Sequence, residues 1–344
     1  MAVSEPLISL RPARAVSRAS RLGPIVSLLL LAPIISEVLY GATRLSVIFV
    51  LIPEILTWGC AALLIRECVR RWNKGWPSML LLGVALAFAE EWIIQQTSIA
   101  PLVGLAQHAY GRVWGVNWVY FLWAMGYESV WVVMVPVELT ELLFPARRQQ
   151  PWLGTRGFVI TSATFLVGAY LAWYGWTQRA RVRIFHMPPY SPPRAYILGA
   201  LGVIALLVFA AYKTPPLPKR GATAPPPWIV ALAIVVLGSP WSAYVLFGFG
   251  SFPAIAPRLA LRGALLGCML TLGLVLRWTS ASDCGNQHRY ALVLAGVISC
   301  CLGGFLVFKV GGALRIDWIG KTIFNTAAIL WLIAMHPRLV GRSS

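Results

Sequence analysis

The chain has 344 residues, of which 58% are hydrophobic and only 12% are charged, whereas about 25% of residues are charged in an ordinary soluble domain. This composition excludes a soluble globular protein and indicates that lipid surrounds most of the surface. A net charge of +18 would favour a nucleic-acid partner in a soluble protein. Here the basic residues lie in short loops between apolar stretches, so we expect no nucleic-acid partner and predict contacts with anionic lipid head groups.

Ten apolar stretches are long enough to cross a bilayer as α-helices, which takes about 20 residues. The fold class is therefore predicted to be all-α, a polytopic transmembrane helix bundle with about ten spans. We treat 22–336 as a single bundle, between a basic tail at 1–21 and a short tail at 337–344. Flanking charges, prolines and glycines place the predicted helices at 22–40, 46–66, 77–96, 117–143, 157–177, 194–212, 228–248, 258–277, 289–309 and 318–336.

The basic residues favour a cytoplasmic N-terminus, because this orientation places most of the Lys and Arg residues inside. With ten spans the C-terminus is then cytoplasmic as well. The loop at 178–194 departs from this pattern, since its arginines fall on the outer side. Either one span between the fourth and the sixth is miscounted, or these arginines have a role of their own.

Two patterns predict contacts between helices. The spacing of Gly263 and Gly267 is a GxxxG motif, which predicts that the eighth helix packs closely against a neighbour. Glu138 and Glu141 lie near the inner end of the fourth span, and we expect them to face the arginines at 147–148 and to anchor the helix at the membrane interface.

The placement of the acids is the most informative feature, because the chain has only eleven. The spans within 22–143 carry acids, whereas the interiors of the spans within 157–336 carry none. A carboxylate at membrane depth costs several kcal/mol unless it is paired, protonated or hydrated, which makes it a candidate functional group. Five acids are of this kind: Glu37, Glu54, Glu90, Glu91 and Glu128.

These five acids are expected to share one layer in the middle to outer half of the membrane. No Lys or Arg lies at that depth in the same helices, so ion pairing does not account for them. Protonation, a shared proton, a bound cation and a hydrated cavity remain as explanations. Gln95 lies four residues beyond Glu91 on the same helical stripe and is expected to hydrogen-bond to it.

His108 follows in the third loop. Histidine together with carboxylates suits a divalent metal such as zinc, and it equally suits acid and base catalysis on a water molecule. The metal hypothesis takes Glu91, His108 and Glu128 as ligands, and the catalytic hypothesis adds Glu90. The alternative interpretation is that His108 is an interfacial loop residue and that the acids only fix helix packing.

The segment Ala89-Glu90-Glu91-Trp92-Ile93-Ile94-Gln95 resembles the EExxxR motif of the CAAX-processing type of glutamic intramembrane proteases, with Gln95 in place of the arginine. The resemblance implies that Glu90 and Glu91 activate a water for peptide hydrolysis inside the membrane. It further implies that His108 is the histidine of the second motif, and that Glu128 replaces the histidine of the third.

The stretch from Leu63 to Leu153 is also similar to a group of bacterial multi-pass membrane proteins with no assigned activity, which implies a bacterial inner-membrane location. The similarity is carried by Leu64-Ile65-Arg66-Glu67, Gly75-Trp76-Pro77-Ser78, Gly115-Val116-Asn117-Trp118 and Glu141-Leu142-Leu143-Phe144-Pro145-Ala146-Arg147-Arg148. Three functions stay open: a hydrolase of the glutamic type, a proton- or cation-coupled transporter, and a non-catalytic scaffold. The sequence identifies neither a substrate nor a protein partner.

Overall fold

The structure, a computed structural model, describes residues 18–101, 110–310 and 312–341, the first four by their backbone alone. Within these ranges ten helices are long and apolar enough to cross a membrane, which confirms the predicted multi-pass helical architecture. They are α1 Leu22–Leu39, α2 Leu45–Arg71, α3 Trp76–Ile94, α4 Trp118–Leu143, α5 Thr155–Arg183, α6 Arg194–Lys213, α7 Pro227–Gly248, α8 Pro257–Thr279, α9 Asn286–Val310 and α10 Arg315–Val340. Before α4, the short strands β1 (Arg112–Val113) and β2 (Val116–Asn117) form an antiparallel hairpin.

Several helices are longer than predicted. Helical structure already begins at Arg18, ahead of α1, and α10 continues to Val340, so part of each predicted tail is helical. Helix α5 extends to Arg183, so Arg179, Arg181 and Arg183 of the predicted loop are helical. Arg and Lys side chains can lie along a helix and reach the interface with their charged ends, so charge marks the membrane boundary and not the helix end.

The helices divide into an inner and an outer group. In the most apolar stretches of α1–α4 and α9, between 44% and 67% of the residues are buried within the protein. The corresponding share is only 6% to 17% in α5, α6, α8 and α10, and α7 lies between the two groups at 28%. The four acid-bearing helices therefore form the interior of the bundle, together with α9.

Helices α7 and α9 pack closely through small residues. A Cβ atom at Gly303 would overlap Ser242, and one at Gly238 would lie 2.9 Å from the Ser299 hydroxyl. The Ser242 hydroxyl also donates a 2.6 Å hydrogen bond to the Ser299 carbonyl. Close backbone approach with a buried hydroxyl bond is the packing that membrane helices use when hydrophobicity cannot drive association.

The GxxxG motif of α8 does not make such a contact. No described atom would lie within 4 Å of a Cβ placed at Gly263 or at Gly267. The predicted close packing is therefore wrong, because α8 lies in the outer group and turns these glycines toward a groove.

A cluster of charged side chains joins α2, α4 and α9 at the end of the bundle opposite the five acids. Arg66 and Arg70 of α2 form ion pairs with Glu141 at 3.2 and 2.7 Å. Arg289 of α9 pairs with Glu138 at 2.5 Å and with Glu141 at 3.2 Å. We call these five residues the charged clasp; Glu141 is its centre, with three guanidinium groups around one buried carboxylate.

The ion pairs of Glu138 and Glu141 are made with the arginines of the charged clasp; of the two arginines at 147–148 that these acids were expected to face, Arg148 lies within electrostatic range of both. The backbone carbonyls of those arginines accept hydrogen bonds from Arg66, at 3.3 and 2.8 Å. The guanidinium of Arg66 also stacks on the ring of Trp152, 3.5 Å from its centroid. Arg66 thereby fixes the connection between α4 and α5 to α2.

Candidate functional site

Each of the five membrane acids lies in or next to a π-helical segment. Such segments are short, interrupt the α-helical hydrogen-bond register, and occur frequently at functional sites. The four segments are Ile34–Leu39, Ile55–Gly59, Glu90–Ile94 and Glu128–Met134. Glu37 lies inside the first, Glu54 directly precedes the second, Glu90 and Glu91 begin the third, and Glu128 begins the fourth.

The structure buries all five acids and brings them together. Each is at most 9% exposed. Glu37 lies within electrostatic range of Glu54 and Glu128, and Glu90 lies within range of Glu91, Glu128 and Glu37. The acids therefore form one connected set, which we call the carboxylate cluster, contributed by α1, α2, α3 and α4.

The carboxyl groups of Glu90 and Glu91 lie within hydrogen-bonding range of each other. A carboxylate offers only acceptor oxygens, so a bond between two carboxyl groups requires that one of them carries a proton. Glu91 Oε2 also accepts hydrogen bonds from the backbone N–H of Ser98 at 2.8 Å and from its hydroxyl at 2.6 Å. Ser98 thus holds Glu91 in place, and a hydrogen bond between Glu91 and Glu90 requires one proton on the pair.

The other carboxyl groups of the cluster have hydrogen-bond partners for only some of their oxygens. The hydroxyl of Thr43 donates a short hydrogen bond to Glu54, and Trp58 lies beside Glu128. One oxygen each of Glu54, Glu90 and Glu128 is buried without a hydrogen-bond partner among the described residues. Because an unpaired buried acceptor costs about 1–3 kcal/mol, the cluster keeps three acceptor positions at the expense of stability.

The ion pairs made by Arg66, Arg70, Arg71 and Arg289 belong to the charged clasp and to Glu67, and none of them includes an acid of the carboxylate cluster. Lys321 of α10 is a buried cation on this side of the bundle. Its ammonium group donates to the carbonyls of Leu39 and Tyr40 at 2.8 and 3.0 Å, not to a carboxylate.

The carbonyl groups of the π-helical segment around Glu37 are held by side chains from other helices. The thiol of Cys300 donates to Ile35 at 3.3 Å, and the Tyr127 hydroxyl donates to Ser36. Lys321 completes this set at the end of α1. A π-helical turn displaces the regular backbone hydrogen bonds, so these donors stabilise a conformation that α1 alone would not keep.

The expected hydrogen bond between Gln95 and Glu91 is wrong. No described side-chain hydrogen bond joins them, and Ser98 takes that place. The reason is the π-helical segment that begins at Glu90, which changes the angular spacing of side chains, so residues four apart no longer lie on one stripe. The polar run 95–98 at the end of the third span was the available signal for Ser98.

His108 lies outside the described residues, so its predicted part in catalysis or in metal binding stays a prediction. Among the residues that are described, no three His, Cys, Asp or Glu side chains lie close enough together to hold a metal ion. Glu91 and Glu128 alone do not fit a zinc site, which takes three or four ligands from the protein.

Arginines hold the chain next to Ser98 in place. Arg112 donates to the carbonyls of Ile99 and Ala100 at 3.0 and 2.7 Å, and burial lowers the pKa of its guanidinium. Arg181 donates to the carbonyl of Pro101 at 2.8 Å and to that of Pro188 at 2.9 Å. Ten membrane helices are present, as predicted, and Arg181 of the loop at 178–194 has a structural role.

Comparisons with protein-family models, with curated proteins and with solved structures find no match to this chain. The resemblance to glutamic intramembrane proteases and the similarity to bacterial multi-pass proteins therefore stay predictions. Any functional conclusion depends on the geometry of the carboxylate cluster.

Proposed function

We propose that the protein is a membrane-embedded hydrolase of the glutamic type, in which Glu90 and Glu91 activate a water molecule. The observation that supports this proposal is their hydrogen bond inside the bundle, with Glu91 fixed by Ser98 and one oxygen of Glu90 unpaired. A buried pair of carboxyl groups that shares one proton provides a general base and a general acid at the same place.

The chemistry needs only the two carboxyl groups and water. Glu91 removes a proton from the water, and the resulting hydroxide adds to the carbonyl carbon of an amide or ester. The bond to the leaving group breaks as Glu90 donates its proton to that group, and the proton on Glu91 then passes to Glu90 through their hydrogen bond. Glu128, in electrostatic range of both, is the third carboxyl group of the site.

A metal has no step in this mechanism, because the described residues do not supply a metal-binding set. A divalent ion bound by Glu91, Glu128 and His108 stays a prediction from the sequence. Its test is metal analysis of the purified protein with and without the His108→Ala substitution, and stoichiometric zinc that is lost in the variant would support it.

The hydrolase proposal is tested by comparing cells that express the wild-type protein with cells that express Glu91→Gln. We expect cleavage products, found by mass spectrometry of membrane proteins and lipids, in the wild-type cells alone. The matched control is Asp283→Asn, which changes an exposed carboxylate of a loop. Identical products with wild type and a correctly folded Glu91→Gln variant would refute hydrolysis by this pair.

A proton-coupled transporter is the second candidate, and one observation favours it. The carboxylate cluster is a series that leads from Glu54 through Glu37 to Glu128 and Glu90, and such a series of acids suits proton transfer across part of a membrane. In proteoliposomes with a pH-sensitive dye, a pH gradient should then decay faster with wild type than with Glu37→Gln. Equal rates for both, and for empty vesicles, would exclude this function.

A scaffold without chemistry is the outcome if neither experiment detects a difference. We further propose that the chain resides in a bacterial inner membrane, with both termini in the cytoplasm and its basic loops on anionic lipid head groups. Reporter fusions to the C-terminus test the orientation, because alkaline phosphatase is active only outside the cytoplasm.

A further inference from the structure

Tyr120 lies at the same level of the bundle as the pair of Glu90 and Glu91. Glu91 belongs to the last turn of α3 and Tyr120 to the first turn of α4, and these consecutive helices run in opposite directions. The residues that follow them in sequence are in contact, since the ring centroids of Trp92 and Phe121 are 5.6 Å apart. The hydroxyl of Tyr120 lies within electrostatic range of both carboxyl groups of the pair.

The hydroxyl of Tyr120 differs from those of the neighbouring tyrosines in having no hydrogen bond. Tyr40 and Tyr127 each donate to a backbone carbonyl of another helix. The hydrogen bond described for Tyr120 outside the helical backbone is made by its N–H, and none is described for its hydroxyl. Because Tyr120 is only 8% exposed, this donor is directed into the protein and not into the surrounding lipid.

The backbone and the ring of Tyr120 are held in place by contacts with α4 and with the end of α7. The side chain of Asn117 accepts from the N–H of Tyr120 at 3.0 Å and donates to the carbonyl of Gly248 at 2.9 Å. A Cβ atom at Gly248 would lie 2.8 Å from the Cα of Tyr120. The ring of Tyr120 packs against Trp123 and Phe249, with centroids 5.3 and 5.6 Å away. The unbonded hydroxyl is therefore fixed in position before any substrate binds.

The proposed hydrolysis creates a negative charge that carboxylates cannot stabilise. When hydroxide adds to the carbonyl carbon of the substrate, the carbonyl oxygen becomes an oxyanion, which needs a hydrogen-bond donor that is already in position. A guanidinium group in this place would form ion pairs with the acids, as Arg66 and Arg289 do in the charged clasp. A phenol donates a hydrogen bond and remains neutral, so it suits a site built from carboxyl groups.

We infer that Tyr120 is a further catalytic residue of this site, whose hydroxyl donates a hydrogen bond to the carbonyl oxygen of the bound amide or ester and stabilises the oxyanion. The inference rests on the proposed function, in which Glu91 and Glu90 are the base and the acid. The phenol keeps its proton throughout. The oxyanion returns to a carbonyl group when the bond to the leaving group breaks, so Tyr120 needs no regeneration.

The test measures binding of dodecylboronic acid to the purified full-length protein in detergent. Water adds to the boron atom as it would to a carbonyl carbon, its proton passes to Glu91, and the tetrahedral boronate that forms resembles the tetrahedral intermediate. Boron NMR distinguishes this species from the free trigonal acid, so a titration gives the affinity. We expect Tyr120→Phe to weaken binding about 100-fold to 1,000-fold, as the loss of one oxyanion donor does, and Glu91→Gln to abolish it.

The matched control is Tyr290→Phe, which removes another buried hydroxyl, one that donates to the carbonyl of Leu332 in α10, and it should leave the affinity unchanged. The infrared band of protonated carboxyl groups should persist in Tyr120→Phe, since the phenol is expected to act on the substrate and not on the acids. Loss of this band in Tyr120→Phe would therefore overturn the inference.

Two results separate the failure of this inference from that of the proposed function. Equal affinity of the wild type and a folded Tyr120→Phe variant, with binding lost in Glu91→Gln, would overturn the role of Tyr120 and leave the hydrolase standing. Equal affinity of the wild type and Glu91→Gln, or no tetrahedral boron with the wild type, would refute both.

Discussion

At the scale of single residues, Glu90 and Glu91 are adjacent in sequence but have different environments. Glu91 accepts two hydrogen bonds from Ser98, whereas Glu90 keeps an unpaired oxygen. Two carboxyl groups joined by a hydrogen bond hold a proton between them. In the proposed mechanism Ser98 is a positioning residue that keeps Glu91 directed toward the reacting water.

Replacing Ser98 with alanine removes the hydroxyl bond to Glu91 and leaves the backbone bond in place. For any cleavage product identified with the wild type, we expect kcat to fall about 10-fold to 150-fold, corresponding to one hydrogen bond to a charged group, with KM unchanged. Ser98→Thr should restore the rate. The control is Ser162→Ala, whose hydroxyl only bonds to a carbonyl of its own helix, and a loss confined to KM would contradict the positioning role.

Individual residues show which parts of the candidate site the sequence predicts. The five acids could be identified because a carboxylate inside an apolar span is costly and conspicuous. Ser98, Thr43 and Lys321 could not, since their contacts depend on π-helical segments and on helices distant in sequence. α-Helical spacing predicts a hydrogen bond between Gln95 and Glu91. This prediction fails because the π-helical segment that begins at Glu90 changes the helical register.

At the scale of elements, the charged clasp joins α2, α4 and α9 through Glu141, whose carboxylate contacts three guanidinium groups. Several residues of the motifs that suggest a similarity to bacterial multi-pass proteins belong to the clasp or contact it, among them Arg66, Glu67 and Trp76. Trp76 donates to Glu138 at 2.7 Å. These residues therefore contribute to fastening the helices of the bundle to one another.

Glu141→Gln should destabilise the protein strongly, because it leaves buried guanidinium groups without their counter-charge. We expect the free energy of unfolding in detergent to fall by about 3–5 kcal/mol. Asp283→Asn, which changes an exposed carboxylate in a loop, should change it by less than about 0.5 kcal/mol. Similar small changes in both variants would show that the charged clasp contributes little.

At the scale of the whole molecule, the acid-bearing helices and α9 are surrounded by helices that bury few of their residues within the protein. The sequence predicts the ten spans but not this division. The most apolar stretches of α2 and α6 have mean hydropathies of 2.2 and 2.3, yet 44% and 11% of their residues are buried. Lipid is as apolar as a protein interior, so hydropathy does not distinguish the two environments.

Paired glycine substitutions test this division. Gly303→Leu would overlap Ser242 between α7 and α9, whereas Gly202→Leu on α6 adds a side chain to open space. We expect Gly303→Leu to lower the free energy of unfolding by about 1–3 kcal/mol or more. Gly202→Leu should leave this free energy unchanged or raise it slightly. Equal destabilisation by both would mean that α6 is packed as tightly as α9.

The most direct measurement is infrared spectroscopy of the purified protein at neutral pH, in the region of the C=O stretch of protonated carboxyl groups. If Glu90 and Glu91 share a proton inside the bundle, the wild type shows such a band. One component of it disappears in Glu90→Gln and in Glu91→Gln but persists in Asp283→Asn. A spectrum that is identical in all four folded proteins would contradict a shared proton at this pair and remove the basis of the proposed activity.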